Sequence, residues 1–251
     1  MDSNQFHACS RSVTGIRQEN EDACEILRIS HPMGSFLLLA VADGLGGHPA
    51  GEVASSLAVR TLCGIVHDQL LHLPEPDLAS LEALMKMAFR ETNNRVIAIS
   101  EQEEGLRGMG TTLVAALISG EGCCTIGNVG DSRAYLIGEE LERLTRDHSR
   151  VQELVEEGLL SRDEAEHHPL RNIVTRIIGR KGDEADITSI QVGNARILVC
   201  SDGLLDGLTE DEIFAVAATE PIPSVCNALI EAALARSRDN ISVVVAGRTE
   251  M

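Results

Sequence analysis

The sequence predicts an α+β fold in which two antiparallel β-sheets pack together and are flanked by helices. Three observations lead there. Strand-length apolar runs stand at both ends of the chain and two helix-length amphipathic patterns follow the first of them. No internal repeat or Gly-, Ser- or Pro-rich linker divides the 251 residues, so 1–251 reads as a single domain.

The elements follow in order. Residues 5–14 and 23–29 read as short strands around a polar turn, and 35–42 (SFLLLAVA) as a buried strand. In 50–72, Val53, Leu57 and Ile65 fall at multiples of four, beside Ala54, Ala58, Leu62 and Val66, which is one apolar stripe of a helix. Leu81, Leu84, Met85, Ala88, Phe89, Val96 and Ile99 repeat the pattern in 78–99. The two prolines of LPEPD between them separate two antiparallel helices. From Thr111 to Leu144 the period becomes two, which predicts a meander of antiparallel strands. Residues 149–172 are polar and acidic, with Ser161 and Glu164 spaced as a capping box, and read as a variable flap. Strands return at 186–192 and 195–201. Thr209 and Glu212 open a helix to about Ala218, a further helix covers 222–236, and the last strand is 241–247.

Composition narrows the function. A hydrophobic content of 43% supports a sizeable core. No apolar run reaches the roughly 20 residues that span a bilayer, and MDSNQFHACSRS lacks a secretory pattern. A net charge of −18 without a basic patch argues against nucleic acid. Four Phe, one Tyr and no Trp provide few stacking platforms. Seven cysteines without a CxxC pair suggest neither a disulfide nor a zinc framework, and Cys9, Cys24, Cys63, Cys200 and Cys226 read as small buried hydrophobes. The expectation is a cytoplasmic monomer.

The strand ends carry the chemistry. FLLLAVAD, CTIGNVGD and RILVCSD end on Asp43, Asp131 and Asp202, each followed by Gly or Ser, and Asp239-Asn240 directly precedes ISVVVAG. One Asp-Gly after a strand is an ordinary turn. Four carboxylates so placed, with Asn-Glu-Asp at 20–22, are hard oxygen ligands on rigid elements, suited to Mg²⁺ or Mn²⁺.

Eight blocks stand in order: RQENED (17–22), ADGLGGHPAGEVAS (42–55), MGTT (109–112), NVGDSRAYL (128–136), LTRDHS (144–149), HPLRNIVTRIIG (168–179), CSDGLLDGL (200–208) and DNISVVV (239–245). Together they resemble the PP2C-type (PPM family) metal-dependent Ser/Thr protein phosphatases, bacterial branch, over about residues 7–247. The resemblance implies an α-β-β-α sandwich with two pairs of helices. It also implies hydrolysis of phosphoserine and phosphothreonine by a water activated between two Mn²⁺ or Mg²⁺ ions, without a phosphoenzyme. Asp43 would bridge the ions, the Gly44 carbonyl, Asp202 and Asp239 would ligate, and Glu21 and Asp22 would support the second ion. Asp131 matches a third, weaker site, and Arg17 matches the arginine that takes the substrate phosphate. Partners would be phosphorylated proteins, including a Ser/Thr kinase and its substrates.

Other polar residues have smaller parts in this reading. Thr111 and Thr112 read as packing, Asn240 as orienting Asp239, and His148 as fixing a loop, while His48 and the other histidines read as structural or solvated. Where eukaryotic relatives usually carry a histidine assigned as general acid, this chain has Leu45. Two other classes compete. A catalytically inactive phosphatase-fold binding module would have lost a metal carboxylate, and none of Asp43, Asp202 or Asp239 is missing. An aspartyl-nucleophile phosphotransferase wants Asp-x-Asp, and Asp43-Gly44-Leu45 does not supply it.

Overall fold

The computed structural model describes residues 6–45 and 50–248, so His48 lies outside it. Its strands form two antiparallel sheets. The first runs β1 (Phe6–Val13), β11 (Ile241–Arg248), β10 (Arg196–Cys200), β7 (Arg133–Ile137), β8 (Leu141–Arg143). The second runs β2 (Asp22–His31), β3 (Gly34–Leu45), β5 (Leu113–Ser119), β6 (Cys123–Val129), β9 (Asp186–Gln191), with β4 (Gly110–Thr111) paired to β3.

Both faces of the central strands are covered, which is why their sequences are nearly continuous apolar runs. Along β3, Leu37, Leu39 and Val41 join a core between the sheets, while Leu38, Ala40 and Ala42 face the opposite way. There they meet α1 (Ala50–Leu70) and α2 (Leu78–Gln102), whose stripes are those read from the sequence. Along β11, Val244 and Ala246 face the inter-sheet core, and Ile241, Val243 and Val245 face the helices of the other side. Those helices are α5 (Asp202–Gly207), α6 (Glu210–Thr219) and α7 (Ile222–Ala233). The expected capping boxes are both formed, Ser161–Glu164 opening α4 (Arg162–Glu166) and Thr209–Glu212 opening α6. A further short helix, α3 (Arg150–Glu156), precedes α4 within the 149–172 segment.

Three readings are corrected. The 111–144 region is not one meander: β5 and β6 belong to the second sheet and β7 and β8 to the first. The chain crosses between sheets at Gly130, whose φ of +109° and whose closeness to Thr112 (2.6 Å from any added Cβ) admit only glycine. Strands of both sheets are buried alike, so periodicity could not show the crossing. Asp202 does not end a strand; it opens the short helix α5. Finally, Cys9 of β1 and Cys226 of α7 are joined as a disulfide 217 residues apart, a pairing made by helix-on-sheet packing that spacing cannot reveal. Among the described residues no helix is long and apolar enough to cross a membrane.

The inter-sheet core should dominate stability. Leu39, fully buried, should cost about 2–5 kcal/mol when cut to Ala. The same change at Met33, 63% exposed on the β2–β3 turn, should cost under about 0.5 kcal/mol. Urea midpoints at constant slope measure both.

Candidate metal centre

The sandwich brings its carboxylates together by register. In the β2–β3 ladder Asp22 pairs directly with Asp43, so two acids stand side by side at one end of the second sheet. In the first sheet, β10 ends two residues before Asp202 and β11 begins two residues after Asp239, on antiparallel neighbours. The sheets then meet: Ser201 Oγ, in the first, donates to Asp22 Oδ2 in the second (2.8 Å) and accepts from Ser242 N–H (3.0 Å). Asp131 arrives from the crossover after β6.

Close backbone approach shapes each side of this junction. A Cβ on Gly203 would lie 1.9 Å from the Asn240 carbonyl oxygen, and one on Gly44 would lie 2.2 Å from that of Gly51. The glycines after Asp202 and Asp43 are therefore packing requirements as well as turn residues. Thr111 and Thr112 do more than pack. Thr111 Oγ1 donates to the Asp43 carbonyl (2.7 Å), and Asp43 N–H donates to Thr112 Oγ1 (2.9 Å). Thr112 in turn shares a 2.7 Å hydrogen bond with Ser132, beside Asp131. These hydroxyls fix the backbone of the acid while leaving its carboxyl outward.

His148 fixes a loop, as expected. Its Nδ1 accepts from Gly130 N–H (3.1 Å), which leaves the proton on Nε2 to donate to Asp186 (3.0 Å). The ring thus steadies the residue before Asp131, and burial lowers its pKa. Asn240 acts differently from the expectation. Its backbone N–H donates to Asp239 Oδ1, but its side chain holds the 14–21 loop: Oδ1 accepts from Glu21 N–H (2.8 Å), and Nδ2 donates to the carbonyls of Thr14 and Glu19 (2.9 Å each). Arg17, on that loop, donates to Asp239 Oδ2 (2.7 Å) and to the Arg238 carbonyl (3.1 Å).

The acids crowd one another. Burial pushes Asp22 up to about 7, the charges of Asp202 and Asp239 add to it, and the Ser242 and Ser201 hydroxyls oppose it. Burial, then Asp202, pushes Asp131 up to about 8. Asp43 is raised by burial and then by Asp202, Asp22 and Asp131; Asp202 is raised by burial and by Asp239. Among the described residues, Oδ1 of Asp22 and of Asp202 are buried acceptors with no hydrogen-bond partner.

An open cleft of about 570 Å³ gathers Arg17, Glu21, Asp43, Gly44, Asp131, Asp202 and Asp239. Asp22 lies just beneath, held by Ser201. Every residue expected at the site is therefore in or against one cleft. The sequence reading missed other walls, Ile16, Gln18, Asn172 and Val174. Gln18 stands inside the 17–22 block, Asn172 and Val174 inside the 168–179 block, and Ile16 just before the first, with no chemistry of their own to single them out. No three His, Cys, Asp or Glu side chains among the described residues converge tightly enough to cage an ion by themselves. Mg²⁺ and Mn²⁺ keep several waters and need few protein ligands. Orphaned carboxylate oxygens and mutual repulsion are what a hard divalent cation would relieve, so the residues fit one.

Comparison with known proteins agrees with the geometry. A family model described as protein phosphatase 2C matches residues 12–236. The serine/threonine protein phosphatase PstP of Mycobacterium tuberculosis is 39% identical over 242 residues, which are 94% of this chain and 44% of that protein. The chain thus spans under half of PstP. The phosphatase Stp of Listeria monocytogenes is 38% identical over 213 residues, 83% of this chain and 81% of that one. Among solved structures, Stp1 of Staphylococcus aureus matches with a TM-score of 0.88 at 32% identity, covering 98% of this chain and 96% of that one. The catalytic domain of PstP, solved in complex with 2 manganese ions, matches at 0.81 and 35% identity, covering 98% and 99%.

The crowded acids set a pH signature. A carboxyl whose folded pKa lies above its unfolded value of about 4 binds protons on folding, so its stability contribution is full at low pH. It is lost as pH rises through the folded values of about 7 for Asp22 and about 8 for Asp131. The metal-free protein should therefore melt lower at pH 8 than at pH 5, and Mn²⁺ should raise Tm more at pH 8. A metal-free Tm that rises over this interval would contradict the arrangement.

Proposed function

The chain belongs to the protein phosphatase 2C family, and from that premise we propose that it hydrolyses phosphoserine and phosphothreonine in proteins, opposing a Ser/Thr kinase. The observation that carries this reading is the convergence of Asp43, Asp131, Asp202 and Asp239 with Arg17 in one open cleft. Asp43, Asp202, Asp239 and the Gly44 carbonyl would hold the divalent ions, supported by Glu21 and Asp22, with Asp131 at a weaker third position. Bound Mn²⁺ or Mg²⁺ supplies charge to neutralise the phosphoryl oxygens and lowers the pKa of the attacking water.

The chain's own residues orient and anchor. Asn240 holds the loop at Thr14, Glu19 and Glu21, which sets where Arg17 stands. The Arg17 guanidinium, 57% exposed, is a fork suited to two phosphate oxygens. Its bond to Asp239 must be exchanged for the phosphate and for the ions Asp239 would hold. Among the described residues lining the cleft there is no histidine, and Leu45 has no proton to give. The leaving alkoxide draws its proton from water. An inactive binding module is disfavoured because no acid of the cluster is replaced.

Two results test this. Hydrolysis of a phosphothreonine peptide should vanish in chelator and return with Mn²⁺; full activity in the metal-stripped protein would overturn the reading. Arg17→Ala should raise KM for the peptide about 10- to 100-fold without weakening Mn²⁺ affinity, because a charged hydrogen bond to phosphate is lost. Collapse of metal binding with KM unchanged would make Arg17 structural instead.

A further inference from the structure

The cleft is lined almost throughout by polar residues. Glycine apart, Ile16, Leu45 and Val174 are the apolar residues of its lining. Ile16 is 69% exposed, an unusual setting for a large aliphatic side chain beside a cluster of acids. A single exposed isoleucine ordinarily needs no explanation. Its mounting sets this one apart. Arg17 N–H donates to the Thr14 carbonyl, closing a four-residue turn with Ile16 at its crown. Gly15 enters the turn at φ +62°, pressed so close to Asp239 that a Cβ would stand 2.4 Å from its carbonyl oxygen. Asn240 pins the loop on both sides, at Thr14 and Glu19. The backbone is thus fixed, and it carries the exposed Ile16 side chain on a loop already held in place.

Val174 comes from a different segment and is fixed as well. It bridges Ser149 in an isolated antiparallel pair, and Arg150 N–H donates to the neighbouring Ile173 carbonyl (2.8 Å). Two apolar groups on anchored backbone therefore line a cleft that also gathers the carboxylates. Ile16 also directly precedes Arg17. A substrate whose phosphate lies on Arg17 brings its adjoining residues within one chain step of Ile16.

We propose that Ile16, with Val174, is a specificity determinant that selects phosphoproteins carrying an apolar residue next to the phosphorylated Ser or Thr. This rests on the phosphatase reading and deepens it. An apolar neighbour removes Ile16 from water at little entropic cost because the loop is held beforehand. A polar neighbour of equal size leaves its amide unpaired against aliphatic carbon, and an acidic one also meets the field of the cluster.

The test compares two phosphothreonine peptides, one with Leu on both sides of the phosphoresidue and one with Asn, a near-isosteric pair, at saturating Mn²⁺. The expected ratio of kcat/KM is about 10-fold in favour of Leu, the range for one buried aliphatic group. Ile16→Ser should bring the ratio to within about 2-fold and Ile16→Val should keep most of it, while Met33→Ser, on the distant β2–β3 turn, should leave it unchanged. A wild-type ratio near one, or a full ratio retained in Ile16→Ser, overturns the proposal. An aryl phosphate, which has no neighbouring residue, separates the two readings. If wild type hydrolyses it without discriminating between the peptides, the specificity proposal alone fails; if it hydrolyses none of the three, the phosphatase reading falls and takes this proposal with it.

Discussion

The burial of like-charged carboxyls at the junction of the two sheets is the constraint around which this structure is organised. Asp22, Asp43, Asp131 and Asp202 are pushed toward protonation by burial and by one another. Nothing in a folding chain gathers such groups for stability. They are brought together by a scaffold whose apolar strands are covered on both faces. Hydroxyl and amide groups (Thr111, Thr112, Ser201, Asn240) spend their hydrogen bonds on backbone and on one carboxylate oxygen, leaving other oxygens unpaired. The cost falls on the core beneath, and a divalent cation would relieve it.

The same constraint explains the surrounding geometry. Positions in or just beyond strands are needed because they fix the direction in which each acid meets the cleft. Glycines at 44 and 203 are needed because backbone closes on backbone there, Gly44 against Gly51 of α1 and Gly203 against Asn240. Arg17 answers the negative charge from the cleft's edge, where it remains exposed enough to change partner. Specificity for what surrounds the phosphate is then left to the rim, where Ile16 and Val174 stand.

Much of this was legible in the sequence, for identifiable reasons. The apolar runs of β3 and β11 and the stripes of α1 and α2 follow from local periodicity, and the fold class follows from their order. The carboxylates were legible because a strand followed by Asp and a small residue recurs. What stayed hidden depends on contacts between distant segments. The crossing at Gly130 looks like any strand–turn–strand, the Cys9–Cys226 link requires α7 to lie on β1, and the part played by Asn240 is visible only once the 14–21 loop is beside it. Thr111 and Thr112 looked like packing because hydroxyl partners cannot be read from a strand pattern.

Calorimetric titration of Mn²⁺ into the metal-free protein at pH 7, repeated in buffers of different ionisation enthalpy, tests the central claim most directly. Carboxyls raised to about 7 and about 8 are partly protonated there, so binding should release on the order of one proton. Asp202→Asn should weaken the binding severely. Tight binding with no proton release, or binding indifferent to Asp202, would contradict a cation site built from these mutually raised acids.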